Sequence, residues 1–122
     1  MTQTILLADD SLTIQKVVEL TFADTQYHVV AVSSGDELLE KLPEVQPEVV
    51  ICDIIMPEKD GIETIMDMKR EQHDLKVLAI SGGGRAEPDN YLESARLLGA
   101  DATMKKPFTH QEMLETIDEL LG

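Results

Sequence analysis

Apolar positions along the chain follow two alternating rhythms. Short unbroken runs occupy residues 5–8, 29–32, 49–52 and 77–80, with a weaker one at 102–104. Their length and their Val, Ile and Leu content read as strands, and their lack of polar alternation predicts strands covered on both faces, as in a parallel sheet. Between the runs the apolar residues recur every third or fourth position: Ile14, Val17, Val18, Phe22; then Leu38, Leu39, Leu42; then Ile62, Ile65, Met66; then Leu92, Ala95, Leu98; and finally Met113, Leu114, Ile117, Leu120, Leu121. That spacing gives each segment one apolar stripe to lay on a sheet.

Punctuation agrees with the rhythm. Ser34 to Glu37 and Thr109 to Glu112 both have the capping-box form, and Gly99 suits a left-handed helix stop. Five strand–helix units in alternation imply parallel strands joined by right-handed crossovers with helices on both faces, an α/β doubly wound five-stranded sheet in three layers.

Composition narrows the function. Over 122 residues, 24 Asp plus Glu stand against 10 Lys plus Arg, a net charge of −14 that repels phosphates and argues against nucleic acid as a partner. One domain over 1–122 is expected, with no room for a second, output domain. No apolar run approaches a membrane span, and the lone Cys52 suits a reducing, cytoplasmic setting.

Ligands in such sheets bind beyond the carboxyl ends of the strands. There the chain places Asp9 and Asp10 after the first run, Asp53 after the third, Ser81 and three glycines after the fourth, and Lys105, Lys106 and Pro107 after the fifth. The strand order 2-1-3-4-5 makes the second strand an edge and gathers three carboxylates at one crevice. Hard oxygen ligands with open positions suit Mg²⁺, which keeps waters and accepts a phosphate oxygen. His28, His73 and His110 fall away from this cluster and read as surface residues.

The runs Leu6-Leu7-Ala8-Asp9-Asp10-Ser11, Asp53-Ile54-Ile55-Met56-Pro57-Glu58-Lys59-Asp60-Gly61, Ala79-Ile80-Ser81-Gly82, Leu98-Gly99-Ala100-Asp101 and Lys106-Pro107-Phe108 together resemble the receiver domain of two-component response regulators, of the chemotaxis-regulator type with a flavodoxin-like fold. The resemblance implies Asp53 as phosphoacceptor. It implies Asp10 and Asp9, with Asp53 and the backbone carbonyl of Ile55, as Mg²⁺ ligands. Ser81, Gly82 and Lys106 become the phosphate-binding and switch positions, with a cis Lys106–Pro107 peptide. Met56-Pro57 with Asp60-Gly61 would shape the loop after the acceptor and start the third helix. Partners would be a histidine kinase or phosphotransfer protein as donor and a separate effector read through the fourth helix, fifth strand and fifth helix. The chain would catalyse only its own phosphorylation and slow dephosphorylation.

Two departures from the family pattern stand out. Thr103 occupies the switch position usually held by an aromatic residue. Ile55 and Gly83, which would flank the attacking water, carry no group to orient it, so self-dephosphorylation is expected to be slow. Of the rival readings, a small aspartyl-phosphate phosphohydrolase would place its nucleophile after the first strand with a second acid two residues on, and Asp9-Asp10-Ser11-Leu12 lacks that spacing. A flavin binder would need stacking aromatics, which make up 3% of this chain. An inert receiver would lack an acid or the lysine, and a phosphate sink without a downstream target shares every residue of the leading reading.

Overall fold

The computed structural model describes residues 3–55, 61–72, 74–82, 88–97 and 99–122, with the backbone alone over 88–92. Five strands alternate with five helices: β1 (Gln3–Ala8), α1 (Leu12–Thr21), β2 (Tyr27–Val32), α2 (Gly35–Val45), β3 (Val49–Asp53), α3 (Gly61–Glu71), β4 (Lys76–Ser81), α4 (Pro88–Leu97), β5 (Ala102–Lys105) and α5 (His110–Leu121). All strand pairs are parallel, in the order β2-β1-β3-β4-β5. Fold and strand order are those expected from the sequence.

Unbroken apolar runs arise because each face of the sheet has its own core. Leu6, Ala8, Val50, Cys52, Val77 and Ala79 point to the side covered by Leu38 and Leu42 of α2, Ile65 and Met68 of α3 and Ala95 of α4. Ile5, Leu7, Val49, Ile51, Leu78 and Ile80 point to the other, under Val18 and Phe22 at α1 and Met113 and Ile117 of α5. Alternate residues of one strand thus feed opposite cores. β2 departs from the expected double coverage: only Val32 is fully buried, because an edge strand has one neighbour and open flanks.

Several local readings need correction. Met66 is 39% exposed, whereas Gly61, Thr64, Ile65 and Met68 are buried. The helix begins at Gly61, and its inward line runs through these positions with Met66 turned outward. Ser34 caps α2 by accepting from Glu37 N–H, but the Glu37 carboxylate accepts from Ser33 N–H, so this cap is half a box. Thr109 and Glu112 form the complete box, with Glu112 Oε1 accepting from Thr109 N–H at 2.9 Å and Thr109 Oγ1 from Glu112 N–H at 3.0 Å. Phe22 lies one residue past α1 as its C-cap. Gly99 ends α4 as expected, at φ +132°, with Ala100 N–H donating to Ala95 O at 2.9 Å and Gly99 N–H to Arg96 O at 3.3 Å. Met56, Pro57, Asp60, His73, Gly83, Gly84, Leu98 and the side chain of Leu92 lie outside the described residues.

Candidate functional site

Asp53 is the last residue of β3, Ser81 the last of β4, and Asp9 and Lys106 each follow a strand by one position. The parallel register brings these ends to one edge, since Ala8 pairs with Cys52, Asp53 with Ile80 and Ser81 with Lys105.

The turn into α1 frees its aspartates from capping duty. Ser11 is the N-cap, its Oγ accepting from Ile14 N–H at 3.3 Å. Asp9 is fully buried; its Oδ1 accepts from Ser11 N–H at 2.9 Å, and its backbone carbonyl accepts from Gln15 Nε2 at 2.8 Å. Asp10 is exposed at the mouth. Asp53 is 5% exposed, with Oδ1 accepting from Ile55 N–H at 3.0 Å and Oδ2 from Lys106 Nζ at 3.2 Å. One carboxylate oxygen from each of Asp9, Asp10 and Asp53 lies within 4.8 Å of the others, a grouping that could hold a metal ion.

Lys106 is the counter-charge. Its Nζ lies 2.8 Å from Asp9 Oδ2, nearer than Asp53, although the angle there is not that of a hydrogen bond and Oδ2 has no hydrogen-bond partner among the described residues. Its backbone N–H donates to Ser81 O at 2.8 Å, and its bond to Pro107 is cis, as expected. Burial raises the Asp53 carboxyl above its ordinary value; the Ile55 N–H opposes this, Asp9 adds to it, and Lys106 opposes it, leaving a net rise. Burial pushes the Lys106 ammonium down, but its contacts with Asp9 and Asp53 outweigh that and leave it raised.

Ser81 is fully buried and its Oγ has no hydrogen-bond partner among the described residues. A buried hydroxyl left this way costs stability unless an acceptor completes it.

Two glycines hold the frame. A Cβ at Gly82 would sit 2.5 Å from Lys106 Cβ and 2.7 Å from Lys106 O; one at Gly61 would sit 2.3 Å from both Asp53 O and Ile54 Cα. The clamp of Gly61 on the end of β3 and the Asp9–Lys106 contact were not read from the sequence. Gly61 stands at the expected loop exit, but nothing local announces what its Cα touches. Thr103, the position without an aromatic, borders a groove of about 430 Å³ between β5 and α5, lined also by Lys105, Pro107, Glu112, Glu115 and Thr116. His28 and His110 are exposed and apart from the acidic cluster; His110 Nδ1 contacts Thr21 Oγ1. Asp101, part of the resemblance without an assigned role, works at the far end of the sheet, accepting from Lys69 Nζ at 2.8 Å and Val77 N–H at 2.9 Å.

An α/β sheet with three acids, a lysine and a buried hydroxyl at its carboxyl edge carries an acidic pocket with its own counter-charge. The family model described as the response regulator receiver domain matches residues 5–118, and the chain belongs to that family. It is 29% identical over 116 residues to the chemotaxis protein CheY of Listeria monocytogenes, covering 94% of this chain and 95% of that one. It is 32% identical over 117 residues to a probable transcriptional regulator, ycf27, of Guillardia theta, covering 96% of this chain and 44% of the relative. With the alkaline phosphatase synthesis regulator PhoP of Bacillus subtilis, at 27% identity, it spans 49% of the relative, so the chain covers about half the length of these two regulators. Among solved structures, a putative response regulator from Chloroflexus aurantiacus superposes with a TM-score of 0.90 at 25% identity, covering 99% and 98% of the two chains. The chemotaxis response regulator CheY4 of Vibrio cholerae gives 0.87 at 25% identity over 99% and 100%. The chain is thus a receiver domain of two-component signalling. Among the described residues no helix is long and apolar enough to cross a membrane.

Proposed function

We propose that the chain is a phosphorylation switch in which Asp53 takes a phosphoryl group from the phosphohistidine of a kinase or phosphotransfer protein. The observation that carries this reading is the buried, raised Asp53 carboxylate held against Lys106 beside the unpartnered Ser81 hydroxyl. An Asp53 carboxylate oxygen forms the new O–P bond while the donor's P–N bond breaks. The donor imidazole, protonated on its far nitrogen, keeps the electron pair and leaves neutral. Lys106 then follows the negative charge onto a phosphoryl oxygen, and Ser81 donates its hydroxyl to another.

The donor set fits Mg²⁺: three hard carboxylates lie in reach of one another, and by the family resemblance the backbone carbonyl of Ile55 would be a further oxygen ligand. When bound, Mg²⁺ supplies neutralisation of the transferring group's oxygens. The chain handles only its own phosphoryl group and turns over no other substrate. Ile55 is 43% exposed at the mouth and brings no polar side chain to a hydrolytic water, so the acyl phosphate decays slowly. The signal is read on α4, β5 and α5, where Thr103 leaves the groove open.

Incubation with Mg²⁺ and acetyl phosphate, followed by intact mass, tests the reading. One phosphoryl group is gained by the wild type and none by Asp53→Asn or by the wild type without Mg²⁺. Absence of any gain with small donors and with phosphorylated donor proteins alike would leave an inert receiver.

A further inference from the structure

β5 is an outer strand, paired with β4 alone, and its open side borders the groove of about 430 Å³ against α5. Asp101 N–H donates to Val77 O at 2.8 Å at the start of the β4–β5 ladder. Main-chain groups of a strand alternate between its two sides, so Thr103 also faces β4, and Ala102 and Met104 turn their N–H and C=O outward. Among the described residues these outward groups have no backbone partner. α5 turns back along β5 and brings Glu112, Glu115 and Glu119 to the groove from one helix face, opposite Thr103, Met104 and Pro107. Glu112 Oε1 is committed to Thr109 N–H and Glu115 Oε1 accepts from Gln111 Nε2 at 3.0 Å, and none of the three glutamates has an ion pair among the described residues. β2, the other outer strand, borders a smaller hollow of about 220 Å³ with a single carboxylate, Glu19.

We propose that β5 is a strand-addition site: an extended, cationic segment of the partner protein pairs with its open side and sets a basic side chain against Glu115 and Glu119. The proposal rests on the reading of α4, β5 and α5 as the output face and deepens it by naming the partner's chemistry. Unpaired strand groups select an extended main chain, and an acidic wall beside them selects lysine or arginine at alternate positions, where side chains share one face. A second copy of this chain would bring another −14 to the same wall, and nucleic acid is repelled by it. Lys105 at the carboxyl end of β5 repels a cation there, so the register that seats the basic side chain lies toward Glu119.

The test titrates the ¹⁵N-labelled full chain with a synthetic peptide of alternating valine and arginine. The amide signals of Ala102 and Met104 are expected to shift saturably and to gain protection from exchange, while those of β2 stay in place. The same peptide with its backbone nitrogens methylated keeps its charge, cannot donate to a strand, and binds about tenfold weaker. Glu115→Gln with Glu119→Gln weakens binding about tenfold. Glu40→Gln with Glu71→Gln removes the same charge from exposed positions on α2 and α3 and changes binding by less than about twofold. Absence of a saturable shift, equal binding by the methylated peptide, or equal weakening by both variant pairs overturns the site. Signals of Ala102 and Met104 that move with chain concentration alone give the strand to a second copy and overturn it as well. Acetyl phosphate labelling of the same sample, read by intact mass, separates the two readings. A labelled chain that ignores the peptide overturns the strand-addition site alone, whereas an unlabelled chain that binds it supports the site and overturns the switch.

Discussion

At the scale of single residues, the pocket holds a charge arrangement that works against stability. Asp53 is buried and its carboxyl is raised first by that burial, so the folded chain binds its proton more firmly than the unfolded chain does. Between the ordinary value of 3.8 and the raised one, the native state carries more protons, and stability therefore increases as pH falls through that window and decreases as pH rises through it. Lys106 has the opposite bearing. Its contribution is present below 10.5 and is lost only as pH climbs past its raised folded value. Asp53→Asn removes the buried like charge while leaving Lys106 its nearer partner Asp9. In Mg²⁺-free buffer it is expected to melt about 3 °C above the wild type at pH 7, with the gap narrowing as pH falls toward 3.8. A variant melting lower at pH 7 would mean that the Asp53–Lys106 pair is worth more than the repulsion it offsets. The acids and the lysine were legible because each follows an apolar run, where topology places ligands. The preference of Lys106 for Asp9 was not, because it depends on angstrom-scale differences between two carboxylates that the sequence treats alike.

At the scale of elements, the helices were legible in type and less so in phase. The outward turn of Met66 follows from where α3 starts, which Gly61 determines by lying against the end of β3. Gly61→Ala gains up to about 1 kcal/mol in helix propensity but drives a Cβ into backbone atoms of Asp53 and Ile54 that cannot rotate away, at about 2–3 kcal/mol. The clash wins. Urea unfolding should show net destabilisation, and acetyl phosphate labelling should slow because the acceptor strand shifts. At the other end of the chain, Thr109 and Glu112 each satisfy a backbone donor of the other, whereas Glu37 spends its carboxylate on Ser33, a choice between neighbouring N–H groups that the four-residue pattern does not decide. Thr109→Ala is expected to lose about 1 kcal/mol of stability with Mg²⁺ affinity unchanged. A change in affinity would tie the start of α5 to the pocket.

At the scale of the whole molecule, the five-unit rhythm was enough to give the sheet, because two cores on opposite faces leave no room for polar alternation in the central strands. The charge of −14 by itself argued only against nucleic acid, and the fold adds to its meaning by gathering three of the acids at one strand edge. A molecule with this excess presents a negative field to every approaching anion, and the mouth of the pocket carries exposed Asp10. A small phosphodonor is itself an anion and must cross that field to reach Asp53. Raising the salt shortens the screening length from about 30 Å at 0.01 M to about 3 Å at 1 M, which removes the distant acids from the balance while leaving Lys106, in contact with the reacting carboxylate, in place. With Mg²⁺ held saturating, the labelling rate with acetyl phosphate should therefore rise about two- to fivefold between 0.02 and 0.5 M sodium chloride. A donor protein with a basic docking surface should show the reverse trend, since screening then weakens attraction. Rates measured by intact mass across that range check both signs. A fall with acetyl phosphate would mean that the local field of Lys106 and the bound cation outweighs the rest of the molecule at the mouth.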